Sequence, residues 1–227
     1  MARSFGATVD THPAKPPQPT TLTGRSVRLE KLDPSHTDDL YESIGRPEYV
    51  ALWDYIPDGP FPDKESFVPF IARLSQSPDP YLYALIDQRT NKAVGFFSLM
   101  RIDQKNRVIE IGYVVFSPLL QRTTAATEAF YLLTNAVFKD MGYRRYEWKC
   151  NDLNEPSMKA AVRFGFKPEG VFRQHMIVKG QNRDTAWFSI LDSEWPALAE
   201  SFEKWLDPQN FDAEGKQRST LATLRGL

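Results

Sequence analysis

Three runs of apolar or alternating residues follow one another in the middle of the chain: YLYALID (81–87), AVGFFSLMRI (93–102) and RVIEIGYVVF (107–116). Only short turn-forming stretches carrying NK and DQKN separate them. Strands joined this tightly pair as antiparallel neighbours, because a parallel pair needs a crossover of a dozen or more residues. They form the centre of a sheet, and their apolar faces need cover. The following segment, QRTTAATEAFYLLTNAVFKDMGY, supplies it: apolar residues at 125/126, 129/130, 132/133 and 136/137 keep the period of a helix lying on that sheet, and Gly142 ends it.

The flanking segments extend the pattern. RSVRLEKL (25–32) reads as a first strand, DPSHTDDLYESIG as a short helix, and KESFVPFIARL as a helix kinked at Pro69. RRYEWKC is a further strand, EPSMKAAVRFG a short helix closed by Gly165, and FRQHMIVKGQNRDTAWFSIL a hairpin around Gly180. SEWPALAESFEKWL reads as a last helix. The order predicts an α+β architecture, a mixed sheet with helices on its faces, and no internal repeat interrupts it.

Residues 1–21, with Pro13, Pro16, Pro17 and Pro19, read as a flexible tail that adds nothing to a packed core. A single domain then spans 22–207, and 208–227 reads as a polar, frayed C-terminal tail. The chain has 227 residues, 41% hydrophobic and 13% aromatic, enough for a sizeable core. Twenty-eight basic against 29 acidic residues give a net charge of -1, so no overall field favours nucleic acid or an anionic membrane. One cysteine and three histidines argue against a disulfide framework, a Cys-rich zinc site or any other bound metal. With no apolar run of the ~20 residues a spanning helix needs, and no signal-peptide core, a reducing cytoplasmic setting is expected. Exposed strand edges permit a monomer or a homodimer.

Chemistry concentrates at the junction FSPLLQRTTAATEA, where a buried strand breaks at Pro118 and a helix begins on small residues. Free backbone N–H groups and the positive end of the helix dipole suit a phosphate or pyrophosphate there. Thr123 and Thr124 offer hydroxyls, Arg122 adds charge, and Ala125 and Ala126 let a ligand approach. The competing reading is an ordinary strand-to-helix turn whose alanines pack on the sheet. Glu110 shares a strand face with Val108, Gly112, Val114 and Phe116, so it is either a desolvated base or a structural acid bonded to Arg101, Arg107 or a strand end. Asn154 and Ser157 flank a helix start, where Asn154 is a natural cap and Ser157 an ordinary first-turn residue unless a ligand uses them. His175, on the face of Arg173, Ile177 and Lys179, is an alternative base or a surface histidine. Cys150 reads as a buried inert thiol. The loop YVALWDYIPDGPFPD (49–63), with Trp53, Tyr55 and Phe61, reads as a pocket wall or as a flap over one end of the core.

Taken in order, AVGFFSLMRI, RVIEIGYVVF with LLQRTTAATEA, and CNDLNEPSMKAAVRFGFKPEGVFRQHMIVKGQNRDTAWFSIL resemble the GNAT acetyltransferases, in particular their RimJ/RimL-like branch, over residues 25 to about 192. The resemblance implies a mostly antiparallel central sheet flanked by helices on both faces, and acetyl-CoA as co-substrate. It implies that the backbone of Gln121, Arg122, Thr123, Thr124, Ala125 and Ala126 holds the pyrophosphate, and that Val114, Val115 and Phe116 with Asn154 hold the pantetheine arm. Ser157 then matches the acid that protonates the leaving thiolate, and Glu110 matches an acidic strand position used as base. Two positions depart from the family pattern: Thr124 stands where a glycine is usual, and Met176, beside His175, stands where a glutamate base is proposed in the branch. The acceptor is implied to be a primary amine, on a protein N-terminus, an aminoacyl compound or a small amine, held between loop 49–63, the start of the second helix and hairpin 172–191, with Trp53, Tyr55, Arg173 and His175 as candidate contacts. Two alternatives accompany this expectation: a non-catalytic acyl-CoA-binding module, and a transferase for a longer acyl group.

Overall fold

In the computed structural model, which describes residues 6–18 and 20–226, the three central runs form an antiparallel meander: β3 (Tyr81–Asp87), β4 (Lys92–Asp103) and β5 (Val108–Phe116). Two short strands, β1 (Leu22–Thr23) and β2 (Val27–Lys31), extend it on one side. On the other side β6 (Arg145–Asn151) pairs with β5 in parallel, because the helix α3 (Thr124–Asn135) carries the chain back across the sheet between them. The hairpin β7 (Lys167–Val178) and β8 (Gln181–Leu191) closes the sheet in the order β1-β2-β3-β4-β5-β6-β8-β7. Its turn is Lys179–Gly180, both at positive φ as a two-residue hairpin turn requires. The mixed, mostly antiparallel sheet expected from the sequence is therefore present.

Helices cover both faces. One face carries α3, α4 (Glu155–Phe164) and α5 (Trp195–Leu206), whose Phe130, Leu133, Phe164 and Phe202 join Ile109, Ile111, Tyr146 and Trp148 in the larger core. The other carries the single turn α1 (Thr37–Leu40), a π turn at Tyr41–Gly45 and α2 (Lys64–Ser75), around a smaller core of Trp53, Phe67, Phe70 and Phe96. Asp63 caps α2, which runs unbroken through Pro69 on its exposed side. Asn154 caps α4, and Gly165, at φ +100°, stops it in the left-handed conformation that costs a side chain most.

Both terminal segments depart from expectation. Ala14 is only 5% exposed, its N–H bonding to Gln104 O at 3.0 Å while Lys15 N–H bonds to Met141 O at 2.8 Å. An extended proline-bearing strip with no core of its own can still pair its main chain with loop carbonyls of the body. Of the expected tail, residues 1–5 and Pro19 lie outside the described residues. Residues 208–226 fold back as a 3₁₀ turn (Pro208–Asn210), a Phe211–Gln217 bridge and the short helix α6 (Leu221–Leu224), with Leu221 buried. Phe211 packs edge-on to Trp205, whose Nε1 donates to Gln217 Oε1 at 2.7 Å.

One ion pair ties β6 to β7 across the intervening β8: Arg145 holds Glu169 through two 2.7 Å hydrogen bonds. The guanidinium pulls the Glu169 carboxyl down to about 2. Because this folded pKa lies below the ordinary value, the pair's stabilisation is complete above about pH 4.5 and is lost as pH falls through about 2. Glu169→Gln is expected to cost less than about 1 kcal/mol at neutral pH, since the pair is partly solvated, and progressively less as pH falls through about 2. Urea midpoints of both proteins across that range check this, and a difference independent of pH would contradict it.

Candidate active site

The site begins with a break in the sheet. β5 and β6 pair only from Val108↔Arg145 to Ile111↔Trp148, after which β5 follows β4 and β6 follows β8. A bulge drives the parting: between Ser98↔Gly112 and Phe96↔Val115, two residues of β5 oppose one of β4, and Tyr113 sits at φ 53°. Gly95 accommodates it, since a Cβ there would lie 2.6 Å from Val115 O. The bulge also reverses the alternation of faces. Ile109 and Ile111 belong to the larger core and Tyr113 and Val115 to the smaller one, whereas Val114 and Phe116 return to the larger. Glu110 therefore does not share a face with Val114 and Phe116, as strict alternation had implied.

On the α3 side of the gap lies a cleft of about 870 Å³, lined by Val114, Val115, Phe116, Gln121, Arg122, Thr123, Thr124, Ala126, Asn154 and Ser157. At its floor α3 begins. Its first N–H groups, of Thr124 and Ala125, have no intrahelical partner, while Ala126 N–H is satisfied by the capping hydroxyl of Thr123 at 3.2 Å. That hydroxyl also donates to Leu120 O at 2.7 Å, so it is committed to the turn and is not the free donor the sequence suggested. The left-handed residue of the loop is Arg122, at φ 61°, whereas Thr124 is the first helical residue. A side chain at 124 therefore meets no backbone strain, which accounts for threonine in place of the usual glycine. Gln121 Nε2 donates to Phe116 O at 2.8 Å, closing the loop on the strand end.

On the opposite side of the gap is a smaller pocket of about 160 Å³. It shares Tyr55, Val114, Trp148, Asn154 and Ser157 with the cleft and adds Glu110, Lys149, His175, Met176 and Arg183. The two cavities thus meet where the strands part. Asn154 Oδ1 caps α4 through Ser157 N–H at 3.1 Å, leaving its amide hydrogens free. Trp148 Nε1 donates to Ser157 Oγ at 3.0 Å, and the serine hydroxyl also bonds the Cys150 thiol, whose pKa it holds down against burial.

Glu110 is buried, 2.9 Å from Lys149 Nζ and 3.1 Å from Arg101 Nε. Burial nevertheless dominates and raises its pKa above the ordinary value, against the pull of both cations. Lys149 is itself buried, 2.7 Å from Glu147 and 3.8 Å above the Trp187 ring. At Glu147 burial is outweighed by Lys149 and Arg145, which hold that carboxyl low. One lysine thus serves two carboxylates of different basicity, and Glu110 is the one kept basic. His175 Nδ1 lies 3.0 Å from Thr185 Oγ1.

These cavities, the open helix start and the strand gap bear on the comparisons with known proteins. A family profile described as the acetyltransferase (GNAT) domain matches residues 26–167, more than half of the chain. The chain belongs to the GNAT acetyltransferase family. The crystal structure of a GCN5-related N-acetyltransferase from Brucella melitensis is similar at 46% identity with a TM-score of 0.93, over 95% of this chain and 98% of that one. The uncharacterized N-acetyltransferase p20 of Bacillus licheniformis is 26% identical over 77% of this chain and 98% of its own length. RimL, the ribosomal L7/L12 alpha-N-protein acetyltransferase solved in complex with coenzyme A, shares the fold with a TM-score of 0.63 at 20% identity, over 76% of this chain and 98% of that one.

Against this GNAT frame the predicted residues divide. Glu110, Asn154, Ser157, His175 and Tyr55 converge on the strand gap. Trp53 does not: it is 1% exposed, its Nε1 donates to Ile44 O at 2.9 Å, and it sits among Phe61, Phe67, Phe70 and Phe96. It is a core residue that lines neither cavity, because the loop packs inward at that point. Arg173 is exposed and lines neither cavity. Between Phe172↔Thr185 and Met176↔Arg183 three residues of β7 oppose one of β8, with Gln174 at φ 51°, and this bulge turns His175 inward while Arg173 stays out. Cys150 is buried with its thiol pushed up by burial, as an inert thiol should be.

Sequence reading missed Lys149 and Arg183, whose face could be inferred from alternation but whose partners depend on the register of three strands. It also missed Phe211, Lys216 and Gln217, which wall the cleft; apolar Phe211, Leu221 and Leu224 in a supposedly frayed tail were the available signal. Among the described residues no helix is long and apolar enough to cross a membrane, and no three His, Cys, Asp or Glu side chains group as a metal site.

Proposed function

We propose that the protein uses acetyl-CoA to acetylate a primary amine by direct transfer. The observation that carries this reading is the meeting of a long cleft and a small polar pocket at the β5–β6 gap, with Ser157 and Val114 lining both. The cleft accommodates a CoA-sized co-substrate, with its phosphates at the open N–H groups of α3 beside Arg122 and its pantetheine arm along the unpaired edge of Val114–Phe116 and the free amide of Asn154. RimL, a fold neighbour, holds coenzyme A.

In this reading the amine enters from the pocket side. Its ammonium gives a proton to Glu110, directly or through water, and the free amine attacks the thioester carbonyl. A strand N–H near Val115 polarises that carbonyl as charge develops on its oxygen. The C–S bond breaks as Ser157, its hydroxyl held by Trp148, gives a proton to the departing sulfur and takes back the second proton that the attacking nitrogen sheds, while Glu110 releases its proton to solvent. Amide and free CoA leave, and no covalent enzyme intermediate forms. Titration calorimetry with acetyl-CoA, followed by a thiol-release screen over an amine panel on the same sample, tests this. Saturable binding with release on at least one amine is expected. Binding without any release favours the non-catalytic alternative, and a preference for propionyl- or succinyl-CoA over acetyl-CoA would replace the donor.

A further inference from the structure

From the charges in the small pocket we infer that the acceptor is a small amine carrying a carboxylate, and that Arg183 is the residue that binds the carboxylate. The inference deepens the acetyltransferase reading above and rests on it. The pocket wall holds three cations, Arg101, Lys149 and Arg183, but Glu110 as its one acidic side chain. Lys149 and Arg101 are already engaged with Glu110, and Lys149 also with Glu147. Arg183 has no such partner: its guanidinium makes no ion pair or hydrogen bond among the described residues, and its Nε is buried without a partner. Burial shifts it toward the neutral form, Cys150 and Glu110 oppose that shift, and Arg101 adds to it.

An unpaired, half-buried guanidinium is costly to retain, and the cost is offset when an anion enters. The planar fork of arginine matches a carboxylate through two parallel hydrogen bonds, which a lone ammonium on Lys149 could not do. Arg183 stands on β8 opposite Met176, on the sheet face that also carries Lys149 and Thr185. A zwitterion can therefore span the pocket with its ammonium toward Glu110 and its carboxylate toward Arg183. The cavity of about 160 Å³ suits a small molecule of amino-acid size better than a folded protein surface.

The test offers each amino acid bearing a primary α-amine, in parallel with its own α-carboxamide, and follows CoA release and acetylated product. At least one free amino acid is expected to exceed its amide by about 100-fold in kcat/KM, the worth of a charge-assisted bidentate contact. In Arg183→Gln that preference is expected to collapse to within about threefold, chiefly through KM, with Arg183→Lys intermediate because it keeps charge but not the fork. Acetyl-CoA affinity by calorimetry serves as the folding control, and Arg183→Lys carries the comparison if the glutamine variant fails it. Aspartyl and glutamyl carboxamides, which keep a side-chain carboxylate, separate the two sources of the anion, and activity on those alone assigns Arg183 to the side-chain group. If neutral amines or uncharged peptide N-termini react as fast as carboxylate-bearing ones, the inference is overturned while the acetyltransferase reading stands. If acetyl-CoA binds but no amine of any charge is acetylated, both fall together.

Discussion

Glu110→Gln is expected to lower kcat by about 10²-fold while acetyl-CoA affinity is retained, the loss typical of removing a positioned proton acceptor. The substitution is nearly isosteric, and Lys149 keeps its partner Glu147 at 2.7 Å, so the fold should tolerate it. The pH dependence carries the sharper signature. Burial holds the Glu110 pKa above its ordinary value of 4.5. A base works only when ionised, so kcat at saturating amine should fall as pH drops through that raised pKa. The fall should therefore begin at a higher pH than an exposed glutamate would give. In the glutamine variant this acid limb should be lost, and the residual rate should rise steadily with pH as the free-amine fraction of the substrate grows. Ser157→Ala is the companion: under the proposed roles it should lose rate to a similar extent yet keep the acid limb, since it would remove the acid and leave the base. A Glu110→Gln enzyme with normal kcat and an intact limb would pass the role of base to His175, the other candidate base on the pocket wall.

Phe130→Ala is expected to cost about 3–5 kcal/mol of stability, because a buried ring is lost and its site cannot fully collapse. Phe130 is 1% exposed and stacks on Phe164 at 4.2 Å between ring centroids with 5° between planes. Phe202 and Phe166 surround it at 5.6 and 5.8 Å. These contacts join α3, α4 and α5 to the sheet at one point. For a domain with total stability of roughly 5–15 kcal/mol this is a large share, and urea denaturation read by far-ultraviolet circular dichroism measures it. Phe130→Leu, which keeps most of the volume, should cost much less. A loss below about 1 kcal/mol for the alanine variant would mean that the three helices repack around the gap. Because Phe130 also faces the cleft, the alanine variant should bind acetyl-CoA more weakly even where it remains folded.

Much of the architecture was legible because it depends on local periodicity. Alternation with short turns announced β3, β4 and β5, and the 3.6-residue spacing of 125–137 announced α3 as their cover. The cap at Asn154 and the stop at Gly165 fell where local backbone chemistry dictates. Asn154 and Ser157 could be singled out because a capping residue and a first-turn hydroxyl are one helix turn apart by construction.

What period alone could not foresee was where it breaks. The one extra residue in β5 reverses the faces beyond it and parts Glu110 from Val114, while the irregular stretch 173–175 of β7 parts His175 from Arg173 within the bulge itself. Trp53 looked like a pocket wall because an aromatic residue in a proline-rich loop has no local signal for which way it packs. The tertiary structure also decided that Lys149 is shared between Glu110 and Glu147, since that contact needs the register of β5 on β6. It decided as well that Ala14 is buried and that Phe211, Lys216 and Gln217 of the C-terminal segment wall the cleft, because both segments are held by contacts to distant parts of the chain. The sequence by itself determined the central strands β2–β6, the helices α2–α5 and the caps that bound them, because those properties are set within a few residues. Only the tertiary structure decided which side chains face one another across the gap, because that depends on bulges, register and packing between segments far apart in the chain.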